Sequence, residues 1–358
     1  MAHFLGLGIT HYPLLAGTDE HMASLLRWTL QDPDIPAAAK DPANWPESMR
    51  AEWGDDAGVA AAAHHRKQLV EALARCREAL DEFGPDVVVV WGDDQYENFR
   101  EEVIPPFCVL AYGDVEVDPF EVMRDRGSPN AWGLADDTRI TLHGVPEQAR
   151  RLADRLIDLG FDIAYSYQHR LNAPFPHAIT NTQLFLDYPH AGRNFPYPLI
   201  PITVNCYGQH AIARRGGLAR FAEIAQEQPD PVGPSPKRCF ELGKAVAQAF
   251  SDTDLRVALI ASSSWSHAFL TDKTWHIVPD TEADLRLYEL FKAGDWERWN
   301  QTTTADIVDS GQHEMLNWFC LTGAVAEAGL RLEWSDLILT DVFNSNKCFA
   351  VFKEEIPQ

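Results

Sequence analysis

Short apolar runs alternate along the chain with segments in which apolar residues recur every three or four positions. The clearest run, DVVVVW at residues 86–91, is continuous and β-branched, as is typical of a strand covered on both faces of a parallel sheet. The pattern predicts further strands at residues 4–10, 105–112, 162–167, 199–205 and 256–261, and helices at residues 64–83, 146–159, 236–250, 284–293 and 314–328. This alternation indicates an α/β fold with a central, mostly parallel sheet and helices on both faces.

Two segments interrupt the alternation, at residues 14–60 and near residues 113–140. The first is polar and rich in proline with some predicted helix, and the second is predicted to be a loop excursion. Because long insertions often carry binding residues, we expect both to shape a functional pocket. No linker divides the sequence convincingly, so residues 1–358 are predicted to form a single domain.

Acidic residues outnumber basic residues by 53 to 30, which gives a formal net charge of −23. This charge argues against nucleic acid or a membrane as the main partner, because both require a basic surface. No apolar run approaches the roughly 18 residues of a membrane-spanning helix, and the first residues do not resemble a signal peptide. The six cysteines form no CxxC pair and fit a reducing compartment, so we expect a cytoplasmic protein.

Polar side chains follow several predicted strands at the point where each strand ends. They are His11 after the first strand, Asp93, Asp94 and Gln95 after the second, Asn205 after the strand at 199–205, and Ser264 and His267 after the strand at 256–261. Because the carboxyl ends of parallel strands meet at one edge of a sheet, we expect these residues to form an active site there.

Each of these residues also has an ordinary explanation. Asp93 and Asp94 can cap the next helix, and Glu314 can be a first-turn acid favoured by the helix dipole. His11 can be a loop residue, and His177 in the segment PFPH can belong to a turn. Only their joint occurrence in one chain favours a functional site.

Four segments, taken in order, resemble the motifs of class III extradiol ring-cleaving dioxygenases, the superfamily of the protocatechuate 4,5-dioxygenase catalytic subunit. They are GITHYP at 8–13, PHA at 176–178, SSSWSHAF at 262–269 and SGQHEMLNW at 310–318. The resemblance extends over nearly the whole chain. It implies that His11 and Glu314 bind a metal ion and that His267 and His177 are catalytic.

One segment departs from the usual pattern of this superfamily. Where many members have a metal-binding histidine, the segment GDDQYENF at 92–99 has Gln95, a variant that resembles the 3-O-methylgallate dioxygenase branch. Two replacements for the missing ligand are open: Gln95 itself through its amide oxygen, or His65. His65 is a candidate because a helix that precedes a parallel strand begins near the carboxyl edge of the sheet.

Two histidines and one carboxylate are the ligand set of non-haem iron(II) oxygenases. The resemblance therefore implies a single catalytic domain that uses Fe(II) and O₂ to open a catechol-, gallate- or hydroxypyridone-like ring. Two alternatives stay open: a zinc- or manganese-dependent hydrolase on the same fold, and a non-enzymatic metal-binding relative. The expected partners are a small aromatic diol, O₂ and further copies of the chain in a homo-oligomer.

Overall fold

The computed structural model describes residues 2–170 and 173–355. The strands of this part are β1 His3–Ile9, β2 Val87–Asp93, β3 Phe107–Leu110, β4 Val115–Val117, β5 Ile140–Leu142, β6 Ala164–Ser166, β7 Leu199–Val204, β8 Arg256–Ser262, β9 Arg331–Ile338 and β10 Lys347–Lys353. Eight of them form one sheet in the order β6-β3-β7-β2-β8-β1-β10-β9, and β4 pairs separately with β5.

The centre of the large sheet consists of four parallel strands, β7, β2, β8 and β1. β3 joins β7 in antiparallel orientation at one side, and β10 joins β1 in the same way at the other. The predicted α/β fold with a mostly parallel sheet is therefore confirmed. The four central strands all end at the same edge, where the loops that follow them converge.

Helices flank the sheet. The α-helices are Asp19–Met22, Ser24–Thr29, Ala37–Lys40, Glu47–Trp53, Val59–Phe83, Glu121–Asp125, Pro146–Asp158, His177–Leu186, Phe221–Ile224, Pro236–Phe250, Thr281–Ala293, Trp296–Trp299, Thr304–Asp309 and Met315–Ala328. Alternate residues of β2 enter two separate hydrophobic cores, Val87 and Val89 on one side and Val88 and Val90 on the other. Both faces of the sheet are therefore covered. Within the described ranges, no helix is both long and apolar enough to cross a membrane.

Several predicted boundaries were wrong. The helix predicted at 64–83 begins five residues earlier, at Val59, and the segment near 113–140 contains a short helix and a strand pair instead of only a loop. The helix His177–Leu186 and the hairpin formed by β9 and β10 were not predicted. The helix Pro236–Phe250 was predicted correctly, and Ser235 caps it by accepting a hydrogen bond from the Arg238 backbone N–H.

Two helices on one face cross at glycines. A Cβ atom on Gly243 would lie 1.7 Å from the Cys320 carbonyl oxygen, and one on Gly323 would lie 1.9 Å from the Phe240 carbonyl oxygen. Only glycine permits such a close backbone approach. This contact anchors the helix Met315–Ala328, whose N-terminus presents Glu314 at the carboxyl edge of the sheet.

Candidate metal centre

Three side chains that can bind a metal ion converge at the carboxyl edge of the sheet. His11 follows β1, Asp93 ends β2, and Glu314 directly precedes the helix Met315–Ala328. His11 Nε2 lies 3.4 Å from Glu314 Oε2 and 3.7 Å from Asp93 Oδ1. One ligand atom from each residue lies within 4.8 Å of the others, so a single cation can contact all three.

All three residues are buried, and their facing oxygens lack partners. Within the described part of the chain, Glu314 Oε2 and both carboxylate oxygens of Asp93 have no hydrogen-bond donor. Burial raises the pKa of Glu314 well above its usual range, and the Asp93 carboxylate raises it further. Two buried carboxylates in contact with an imidazole are unfavourable unless a cation compensates them, so the residues fit a divalent metal ion.

Neighbouring groups orient the candidate ligands. His11 Nδ1 lies 2.7 Å from the Ser262 carbonyl oxygen, to which it donates, so Nε2 faces the carboxylates. Glu314 Oε1 accepts hydrogen bonds from the Tyr207 hydroxyl at 2.8 Å and from Gln95 Nε2 at 3.1 Å. The other oxygen of Glu314 is thereby left for a cation. Burial lowers the pKa of His11, which favours the neutral imidazole that metals require.

His267 lies against the same carboxylate. Its Nε2 is 3.4 Å from Glu314 Oε2, and its Nδ1 is buried without a hydrogen-bond partner among the described residues. Burial lowers the pKa of His267 well below its usual value, and His11 lowers it further. The ring is therefore neutral near pH 7 and can accept a proton.

His177 lies on the other side of His11, with the two rings edge to face at 5.0 Å between centroids. Its Nδ1 lies 2.8 Å from Glu97 Oε1, and its backbone N–H donates to the same carboxylate. Burial lowers the pKa of His177, but the neighbouring carboxylates, Glu97 first and then Asp93, together raise it by more, so the net shift is upward. The pKa values of the two histidines are therefore shifted in opposite directions: His267 is held in its neutral form, and His177 keeps a proton more readily than an ordinary histidine.

The two residues predicted as alternatives for the third ligand occupy different places. The Gln95 side chain contacts Glu314 through its amide N–H, while its oxygen faces Gly216. His65 is not in the group of His11, Asp93 and Glu314: it stacks on Phe343 at 4.8 Å and lines another cleft. The early helix start explains this position, because His65 lies about 9 Å along the helix instead of at its first turn.

The roles of two residues at the site were not predicted. Asp93 belongs to the strand-exit residues expected at the active site, but it was not predicted as a metal ligand; its position as the last residue of a continuous buried strand is the signal that indicates this role. Glu97 gave no sequence signal, since its pairing with His177 depends on how the loop after β2 folds. Asp94 shapes this loop by accepting hydrogen bonds from the backbone N–H groups of Glu97, Asn98 and Phe99.

A small pocket that is partly open to solvent lies over the candidate ligands. The wall includes His11, Gln95, His267 and Glu314, together with one or more residues from each predicted insertion: Leu14 and Leu25 from the first, and Arg126 from the second.

Asp284 holds the loop that carries His267. Its buried carboxylate accepts hydrogen bonds from the Ser266 backbone N–H, Gln312 Nε2 and Asn346 Nδ2. Asp284→Ala leaves these donors unpaired, and we expect it to lower the free energy of unfolding by about 3 kcal/mol. Urea denaturation measures this loss. Glu289→Ala, on the exposed side of the same helix, is the control, and equal stability of the two variants would contradict the prediction.

The fold and the site together define an α/β protein with a candidate histidine–carboxylate metal centre at the carboxyl edge of a parallel sheet. Residues 231–351, which include His267 and Glu314, match the family described as the catalytic LigB subunit of aromatic ring-opening dioxygenase. This match covers about a third of the chain and agrees with the superfamily predicted from the sequence motifs.

Two relatives are named 2,3-dihydroxyphenylpropionate/2,3-dihydroxicinnamic acid 1,2-dioxygenase. The protein from Comamonas testosteroni is 29% identical over 197 residues, covering 55% of this chain and 48% of that protein. The protein from Photorhabdus laumondii is 26% identical over 222 residues, covering 62% of this chain and 54% of that protein. The chain thus spans about half the length of the curated relatives it matches. A solved structure of an uncharacterized Escherichia coli K12 protein superposes with a TM-score of 0.43 at 13% identity, covering 78% of this chain and 91% of that one.

Proposed function

We propose that the protein is an Fe(II)-dependent extradiol dioxygenase that opens a catechol-, gallate- or hydroxypyridone-like ring with O₂. One observation carries this proposal: a buried group of His11, Asp93 and Glu314 lies between His267, whose pKa is lowered, and His177, whose pKa is raised. A hydrolase or a metal-binding protein would also need the metal ligands. The two additional histidines instead fit a reaction in which one proton is removed from the substrate and another is returned. The names of the relatives add support for aromatic ring opening.

We propose His11, Asp93 and Glu314 as the ligands, with Gln95 and His65 as the competing candidates for the third position. Iron(II) bound there would supply simultaneous coordination of the diol and of O₂. Gln95 and Tyr207 hold Glu314 in place through its other oxygen.

The two histidines divide the proton transfers in this proposal. His267, neutral and exposed to the pocket, takes a proton from a substrate hydroxyl as the diol binds. His177, held by Glu97, would keep a proton on the opposite side of His11 and would donate it to an oxygen atom during ring opening.

We further propose that residues 1–358 act as one catalytic domain, since candidate ligands come from both the beginning and the end of the chain. A cytoplasmic location is supported by six buried cysteines, all of them free. A homo-oligomer is also proposed.

Oxygen uptake by the iron(II)-loaded protein, measured against catechol, gallate and hydroxypyridone substrates, tests the function. We expect uptake with one of these classes and a product that carries two ¹⁸O atoms from ¹⁸O₂, apart from exchange with water. The ring should open beside the two hydroxyl-bearing carbons. An unlabelled hydrolysis product formed with zinc or manganese would instead support the hydrolase, and cleavage between the hydroxyls would exclude the extradiol reaction.

A further inference from the structure

One cation in the wall of the pocket has no counterion among the residues that the structure describes. Arg126 follows the short helix Glu121–Asp125 and lines the same pocket as His11 and Glu314. Its Nη1 atom is buried, and no hydrogen bond or ion pair reaches it from the residues that the structure describes. Burial lowers the pKa of Arg126, as expected for a guanidinium without a partner.

Two other buried or half-buried arginines of this protein are paired. Arg66 contacts Asp19, Tyr188 and two backbone carbonyls, and Arg214 contacts Glu227 and Asp272. Among the described residues, Arg126 contacts only the face of the Trp28 ring, with 5.8 Å between its guanidinium carbon and the ring centroid. A cation–π contact leaves the in-plane N–H groups of the guanidinium without acceptors.

The position of Arg126 relates it to the candidate metal centre. Its positive charge opposes the upward shift in the pKa of both Tyr12 and His177, which places it within electrostatic range of the residues around His11. The protein carries a formal net charge of −23, so an anionic substrate is repelled by the average field and needs a local cation. A planar guanidinium with free N–H donors matches a carboxylate, which it can bind through two parallel hydrogen bonds.

We propose that Arg126 binds a carboxylate on the aromatic substrate and so selects ring-hydroxylated aromatic acids over neutral diols. This inference rests on the proposed function, because it concerns the carboxylate end of a substrate whose hydroxyls are proposed to bind the metal. Arg126 is a specificity-determining residue in this arrangement, and it takes no part in the proton transfers.

Anaerobic calorimetric binding to the iron(II)-loaded protein tests the assignment without turnover. Gallate and pyrogallol share a ring and three hydroxyls and differ only in the carboxylate. We expect Arg126→Met to weaken gallate binding about 10- to 100-fold, the range for a lost charge-assisted hydrogen bond, and to leave pyrogallol binding within about twofold. Arg126→Lys, which keeps the charge and serves if the Met variant does not fold, should show a smaller loss. Arg124→Met, which removes a neighbouring exposed arginine paired with Asp118, should bind both compounds like wild type.

The outcomes separate the two proposals. Unchanged gallate affinity in both Arg126 variants, or equal losses for gallate and pyrogallol, would overturn the role of Arg126 while leaving the dioxygenase proposal intact. Wild-type protein that binds pyrogallol at least as tightly as gallate would also overturn it. If the metal-loaded wild type binds neither compound, the proposed function fails for this substrate class, and the inference fails with it.

Discussion

Glu314→Gln protein is expected to bind iron(II) on the order of 100-fold more weakly than wild type, and to lose detectable ring opening. Changes to groups that only support a ligand cost about 10- to 100-fold in metal affinity, so removing a ligand charge should cost at least as much. The metal-free protein should not be destabilised by this change, because a neutral amide removes the repulsion between two buried carboxylates. Its free energy of unfolding should therefore be unchanged or higher, while the stabilisation by added metal disappears.

Equilibrium metal titration and thermal unfolding with and without iron(II) measure these two effects. Glu71→Gln, on an exposed helix face, is the control for loss of one negative charge. The same titration on Asp93→Asn, Gln95→Ala and His65→Ala identifies the third ligand. We expect Asp93→Asn to lose about as much affinity as Glu314→Gln, and His65→Ala to lose none. Wild-type affinity in Glu314→Gln would show that the metal binds elsewhere.

The convergence of His11, Gln95 and His267 at one edge of the sheet could be predicted because it does not depend on the order of the strands. Any parallel sheet brings the carboxyl ends of its strands together, so residues just after β1, β2 and β8 converge whatever lies between them. The position of His65 could not be predicted in this way. It depended on where the helix begins, and an error of five residues shifts a side chain by more than one turn.

Other features depended on tertiary contacts that leave little pattern in the sequence. The helix Glu121–Asp125 is too short to show a helical period, so Arg126 was hidden in a segment predicted to be a loop. β9 has a weak alternation of buried and exposed residues, as expected for a strand at the edge of a sheet. The pairing of Glu97 with His177 joins residues 80 positions apart and requires the folded loop after β2.

His267→Ala and His177→Ala are both expected to keep the metal yet lose ring opening by roughly 10²- to 10⁴-fold, the range for a lost general acid or base. Neither side chain is among the three proposed ligands. These variants should therefore keep the metal content of the wild type while their turnover falls. His64→Ala, which removes an exposed histidine, is the control and should retain wild-type activity.

The two variants should fail in different ways because the pKa values of the two histidines are shifted in opposite directions. Without the neutral base His267, the diol loses its proton less readily, so raising the pH should partly restore turnover as the substrate ionises by itself. Without His177 the substrate still ionises, and added base should not help, since the missing group is a proton donor held by Glu97. Oxygen should then be consumed with little ring opening. Parallel measurement of oxygen uptake and product across a pH series distinguishes the two failures, and identical pH profiles for both variants would contradict the assigned roles.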